Sequence, residues 1–525
     1  MAARHPLRVS RWLLLALLPL LTQCATAPRL DNVQPSSAMP PGATTALDHA
    51  IRNDLSDEPG VSGVRLIEQN AMAFAYRAAT AAAAERTLDV QYYIWHDDLT
   101  GKLLASELIR AAERGVRVRL LVDDIDARAK HDLFLVANLH PNIEVRIFNP
   151  FYNRKGWLPK ISELLLRGER LNRRMHNKAW IADNQVAIVG GRNIGDEYFG
   201  ASDQSNFSDL DLVLAGPVVR EVSQEFDAYW NSQYSVPVDR FDSEPPPPGA
   251  LEELIKSSQE YRKDARETPY IEALRDVQKR ADLLANAAPP LHVSNIQLLA
   301  DDPQKIGTKT TGVEASRVLA GLNGAMRGAE SEVLLVSSYF VPGEGGSELL
   351  EGLEKRGVRV AVATNSLAAT DVAIVHTGYA RYRRRLLKGG VELYEMKRRA
   401  GNERGRGQIS VLGTSGASLH TKAAVVDRRW VYIGSMNLDP RSANLNTEMG
   451  VLLESPELAQ QVHAQFERIV SPELSYRVVV EPHEGLVWYD RNKNADRRLE
   501  REPDASVWRR MEVTLLRIVP IESQL

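Results

Sequence analysis

Two short segments carry residues that together could act on a phosphodiester: His176, Lys178 and Asp183, trailed by Gly190-Gly191 and Asn193, and His420, Lys422 and Asp427, trailed by Gly434-Ser435 and Asn437. One neutral imidazole can attack phosphorus while a second, protonated imidazole gives its proton to the departing alkoxide. Lys178 and Lys422 can hold the non-bridging oxygens, and Asn193 and Asn437 can donate further hydrogen bonds to them. Gly191 lets the backbone approach a phosphate closely, and Ser435 holds the same place in the second copy. A carboxylate on the second ring nitrogen would fix each tautomer, and acids follow in both copies. Asp209 comes 33 residues after His176 and Glu448 comes 28 after His420, so they are expected as the respective orienting acids. Asp183 and Asp427 fall where a hairpin would turn, a place better suited to supporting the turn than to moving protons.

The elements that must position these groups recur as well. Arg114-Gly115-Val116-Arg117-Val118 returns 242 positions later as Arg356-Gly357-Val358-Arg359-Val360, and the histidine segments lie 244 apart, so the chain reads as two copies of one domain. Each copy shows an apolar strand (88–95; 333–341), a helix, and a second strand ending in Asp123-Asp124 or Thr364-Asn365. The stretches 179–189 and 423–433 read as hairpins, and residues two apart on a strand share a face, so each His and Lys should point the same way. Alternating strands and helices predict an α/β fold of two mixed sheets flanked by helices. The predicted domains are 58–240 and 293–475, joined by a Pro-rich linker with a charged helix over 241–292. An extension follows over 476–525, where apolar residues at helical spacing from Val507 to Val519 suit either packing on the domain or a membrane surface.

Composition excludes several classes of function. The 65 Lys plus Arg nearly balance 68 Asp plus Glu, which argues against holding nucleic acid by bulk charge, and the 44% hydrophobic content excludes a mainly disordered chain. A single cysteine rules out intrachain disulfides and cysteine-rich zinc sites. Arg4, Arg8 and Arg11 precede an apolar run over 12–21 that is too short to span a bilayer, and the lone Cys24 follows at once. Residues 1–24 therefore read as an export signal with Cys24 as the lipidated residue, although Gln23 stands where a small residue is preferred; 25–57 reads as a tether. This predicts a bacterial cell-envelope protein, anchored to the membrane with its domains facing the periplasm.

With both H-x-K-x4-D motifs and their Gly-Gly/Ser-x-Asn trailers in place, the chain resembles the phospholipase D superfamily over residues 65–525. The stretches 437–442 (Asn-Leu-Asp-Pro-Arg-Ser), 191–198 and 88–95 and the ending Pro520-Ile521-Glu522 resemble bacterial cardiolipin synthases, the C-type branch in particular. The resemblance implies a pseudo-two-fold pair of domains with the site at their interface, a phosphohistidine intermediate, and no cofactor or catalytic metal. It also counts Asp183 and Asp427 with the catalytic residues, and implies attack by His176 with His420 as acid and then base. The expected reaction is phosphatidyl transfer to phosphatidylglycerol, with phosphatidylethanolamine as a further substrate; hydrolysis of phospholipid is the alternative, and a nucleic-acid phosphodiesterase ranks below both. The phosphatidyl donor and any accessory protein stay open.

Overall fold

The computed structural model describes residues 30–42, 44–55, 60–152, 168–241, 243–275, 290–398, 418–482, 485–492 and 495–516. Cys24 with the segment expected as an export signal, residues 399–417 and the tail beyond 516 lie outside the described residues.

The first copy supplies β1 (Ser62–Ile67), β2 (Thr87–Tyr92), β3 (Arg117–Asp123), β4 (Ile143–Phe148), β5 (Ala179–Ala182), β6 (Val186–Gly190), β7 (Phe207–Ser208), β8 (Asp211–Ala215), β9 (Ser235–Pro237) and β10 (Leu291–Val293). The second supplies β11 (Ile296–Ala300), β12 (Glu332–Ser337), β13 (Arg359–Asn365), β14 (Glu392–Met396), β15 (Ser418–Leu419), β16 (Lys422–Val426), β17 (Trp430–Gly434), β18 (Met449–Glu454), β19 (Ser475–Glu481), β20 (Gly485–Asn492) and β21 (Ala495–Leu499). They assemble into two mixed sheets, ordered β10-β1-β8-β6-β5-β2-β3-β4-β9 and β11-β18-β17-β16-β12-β13-β14-β19-β20-β21. The order β8-β6-β5-β2-β3-β4 is repeated by β18-β17-β16-β12-β13-β14, the topological form of the sequence repeat. The two central strands β2 and β12 are buried along their whole length and pair in parallel with β3 and β13. Both are shorter than the apolar runs suggested: Trp95 and Phe340 lie past the strand ends and make isolated bridges to Ile194 and Leu438, next to Asn193 and Asn437.

Period-two alternation divides each strand between two cores. Ala179, Ile181, Ala187 and Val189 from the first sheet join Leu334, Val336, Val425 and Ile433 from the second in one shared cluster. Their neighbours Trp180 and Ile188 face a cluster of the first copy alone, and Val426 and Tyr432 one of the second alone. Helices α1 (Asn70–Ala83) and α2 (Leu99–Glu113) cover the outer face of the first sheet. The helices α3 (Pro217–Trp230) and α4 (Pro456–Ile469), each 14 residues long and opening on proline, instead place Val218, Val222 and Phe226 and Leu458, Val462 and Phe466 in the shared core. Proline suits a first helical position because its missing N–H has no intrahelical partner there, and Ser455 caps α4 by accepting from Leu458 N.

Candidate active site

Both motif segments run into β-hairpins whose turns demand left-handed backbone. Asp183-Asn184 and Asp427-Arg428 hold φ between 53° and 54°, the two-residue turn whose twist matches that of the strands it joins. The Asp183 carboxylate accepts from the N–H groups of Glu85, Arg86 and Thr87, and Asp427 accepts from those of Glu330, Ser331 and Glu332. Each aspartate thereby ties its hairpin to the start of the central strand. The oxygens of Asp183 and Asp427 are engaged at the turn end of each hairpin, and the histidines stand at the other end.

His176 and His420 lie just ahead of β5 and β16, on segments clamped by the ends of β3 and β13. Asp123 accepts from Met175 N at 2.9 Å and meets Arg174 at 3.3 Å; Asn365 exchanges two hydrogen bonds with Leu419, at 2.8 and 2.9 Å. Asp123, at the end of the second strand, is thus a structural clamp. Across the domain boundary, His176 N donates to Thr447 O at 2.8 Å and His420 N donates to Ser208 O at 2.9 Å. A two-stranded parallel pair, β7 with β15, and a bridge between Met175 and Thr447 complete this contact.

That contact decides which acid serves which histidine. Thr447 precedes Glu448, and His176 Nδ1 lies 2.8 Å from Glu448 Oε2; Ser208 precedes Asp209, and His420 Nδ1 lies 2.6 Å from Asp209 Oδ2. The expected pairing within each copy is therefore corrected: the acids are exchanged between the domains. The physical reason lies in strand order. Within one sheet β6 separates β5 from β8, and β17 separates β16 from β18, so a histidine and the acid of its own copy are held two strand spacings apart, roughly 9–10 Å. Only the opposite copy can bring a carboxylate within hydrogen-bond reach.

The trailers serve this arrangement. A Cβ on Gly191 would lie 2.3 Å from Asp209 Oδ1, so the glycine makes room for the acid. The Ser435 hydroxyl donates to Glu448 Oε2 at 2.5 Å. Gly191 and Ser435 thus lie against the acids that hold the histidines. Asn193 donates to Tyr198 Oη at 2.9 Å, and Asn437 Oδ1 accepts from Ser338 Oγ at 2.8 Å. Lys178 Nζ donates to the carbonyl of His176 at 2.6 Å, and Lys422 Nζ donates to that of His420 and to Ser338 Oγ. Tyr93 stands edge-on to His176 with ring centres 5.0 Å apart, and Tyr198 edge-on to His420 at 5.2 Å. Both tyrosines fall inside sequence stretches already quoted, yet only the fold shows that they wall the site. His376 is buried beside Glu502, and His96 Nδ1 meets Glu197 at 3.1 Å. With Asp98, His96 and Glu197 form the one grouping among the described residues that has metal-site spacing. Asp98, however, is engaged in capping α2 through Gly101 N.

With both histidines, both lysines and both acids buried, solvation cannot support their charges. Burial holds the His176 imidazolium down to about 4 against the pull of Glu448. Burial, then Lys422, Lys178 and His176, hold His420 well below its ordinary value. Burial pushes Lys178 down to about 7 and Lys422 to about 8. Burial would raise Glu448, but His176, Lys178 and the Ser435 hydroxyl outweigh it and hold that carboxyl below its usual range. Burial thus favours the neutral form of both imidazoles. With each Nδ1 facing an acid, Nε2 is the nitrogen left for chemistry, and an entering phosphate anion favours protonation of the groups around it.

The chain matches the family profile described as cardiolipin synthase, phospholipase D-like domain, over residues 78–230 and again over 322–470. It is 41% identical over 472 residues to cardiolipin synthase C of Escherichia coli strain K12, covering 89% of this chain and 97% of that one. It is 23% identical over 422 residues to cardiolipin synthase B of the same strain, covering 78% and 80%. Among solved structures, phosphatidylserine synthase of Haemophilus influenzae Rd KW20 shares the fold, with a TM-score of 0.53 at 14% identity over 79% of this chain and 87% of that one. The duplicated profile coincides with the duplicated sheets, and on these grounds the chain belongs to the cardiolipin synthase family built on phospholipase D-like domains.

Proposed function

We propose that the protein is a phosphatidyltransferase that makes cardiolipin by transferring a phosphatidyl group to phosphatidylglycerol. The observation that carries the reading is the meeting of both motifs at one buried interface, each histidine held at Nδ1 by the acid of the other copy. The identity to a cardiolipin synthase over most of both chains supports the choice of substrate.

In the first half-reaction, His176 Nε2 attacks the phosphorus of the donor lipid, the bond from phosphorus to the headgroup oxygen breaks, and His420 gives its proton to that oxygen. A phosphatidyl group is left on His176. In the second, His420 takes the proton of a phosphatidylglycerol hydroxyl, whose oxygen attacks phosphorus; the P–N bond breaks, cardiolipin leaves, and His176 is free again. Lys178 and Lys422 hold the non-bridging oxygens, where charge grows in each transition state. Phosphatidylglycerol, or phosphatidylethanolamine paired with it, serves as donor. Cys24 would carry the lipid anchor that keeps the domains at the membrane in the cell envelope, facing the periplasm.

The test is expression in a cardiolipin-deficient bacterial host, followed by lipid extraction and transfer assays with phosphatidylglycerol alone and with added phosphatidylethanolamine. Cardiolipin should form with the native chain and be lost with His176→Ala or His420→Ala. Formation of phosphatidate with no cardiolipin would overturn the transfer reading in favour of hydrolysis.

A further inference from the structure

The helix α5 (Val507–Leu516) near the end of the described chain is docked through the edge that carries Val513. Val513 on the helix and Ala505 just ahead of it are buried with Leu367, and Ala373 packs against them. Four other apolar side chains of the helix face outward: Val507 is 64% exposed, Trp508 79%, Met511 49% and Leu515 65%, half of the large exposed hydrophobic side chains among the described residues. At 100° per residue these four span an arc of about 100° on the side away from Val513. Arg509 and Arg510 lie outside that arc, donating to the backbone carbonyls of Thr370 and Glu502. An apolar arc with tryptophan and leucine, flanked by arginines, is the pattern of a helix lying in a bilayer interface.

Its position connects it with the reaction. Arg509 holds Thr370, and the next residue, Asp371, accepts from Tyr339 Oη at 2.8 and 2.9 Å. The Asp371 carboxylate is close enough to favour the protonated forms of both His420 and Lys422. The helix contact at Thr370 is therefore next in the chain to a carboxylate whose charge bears on His420 and Lys422. Under the proposed function, on which this inference rests, the substrates are bilayer lipids. A headgroup must pass from the bilayer to His176 and His420.

We propose that the Val507, Trp508, Met511 and Leu515 face of α5 inserts into the lipid surface beside the site and seats its mouth on the bilayer. The test uses the full chain reconstituted into vesicles of phosphatidylethanolamine and phosphatidylglycerol whose acyl chains carry bromine, with Trp508→Phe compared against the native protein. The fluorescence removed by the substitution should be quenched by the brominated chains and shielded from aqueous iodide. If iodide quenches it instead, the face is in water. If neither quenches it and the protein behaves as two chains by mass, a second copy covers the face. Either result overturns the proposal. In the same vesicles the triple variant W508E/M511E/L515E should lower transfer at least about tenfold, and should keep transfer between short-chain, monomerically dispersed lipids within about twofold. Equal losses on both substrates, or none on either, would also overturn it. Failure of the native chain to transfer any phospholipid would defeat the functional reading while leaving the quenching result to stand for itself.

Discussion

Replacing Glu448 by Gln removes the charge opposite His176 Nδ1 and nearly preserves the side-chain shape; Asp209→Asn does the same at His420. Each acid makes a short, fully buried hydrogen bond to a ring that must carry positive charge during reaction, at 2.8 and 2.6 Å. A hydrogen bond to a charged group contributes about 1.5–3 kcal/mol. At about 1.36 kcal/mol per tenfold, either variant should lose roughly 10- to 150-fold in transfer from a donor with an alkoxide leaving group. The two variants should part on a donor whose headgroup is nitrophenol, which leaves without a proton. Formation of the phosphatidyl adduct, trapped by acid quench in a single turnover and mapped to its peptide, then needs His176 and its Glu448 but not the acid function of His420. Glu448→Gln should remain slow, whereas Asp209→Asn should recover to within about threefold of native. If the adduct maps to His176 but Asp209→Asn is the slow variant, each acid serves the histidine of its own copy and the exchanged pairing is wrong. An adduct on His420 would instead reverse the roles of the histidines.

Sulfate, which does not titrate near neutrality, should bind with uptake of protons between pH 7 and 8, because burial pushes Lys178 and Lys422 to about 7 and about 8 and an anion restores their charge. Calorimetry in buffers of different ionisation enthalpy reads this, and buffer-independent heats would contradict it. Unliganded protein should lose stability as pH falls from about 6.5 to about 4. In that window the unfolded chain protonates His176 while the folded one, held near 4, does not; a flat melting temperature there would count against the burial argument. Asp183→Ala leaves three backbone N–H groups without their acceptor and should cost about 3 kcal/mol of stability. Its turnover per folded molecule should stay native, and selective loss of turnover would return Asp183 to the catalytic set. Gly191→Ala drives a methyl into Asp209 and should reproduce the pattern of Asp209→Asn on the two donors; native activity would show that the acid can move aside.

The amino-acid sequence by itself determined the chemistry and the duplication. His176, Lys178, His420 and Lys422 were legible because a repeated spacing of unlike polar residues has few structural causes, and the α/β alternation was legible because periods of 2.0 and 3.6 residues are local properties of the chain. Asp209 and Glu448 were legible as acids, since each copy carries one downstream of its motif. Which ring each acid holds was decided only by tertiary structure. Position along the chain does not encode that β6 and β17 keep each histidine from its own acid, or that the backbone bonds from His176 to Thr447 and from His420 to Ser208 carry each acid across the interface. The trailers Gly191 and Ser435 shared this fate: small residues near a phosphate site read as phosphate contacts, and only the packing shows them set against carboxylates. Asp183 and Asp427 were ambiguous for a related reason, because a carboxylate in a motif can serve substrate or backbone, and the N–H groups it accepts from lie almost a hundred residues away. Spacing along the chain thus fixed the kinds of groups in the site, while contacts between the two copies, made only once both sheets had packed on one shared core, fixed which group acts on which.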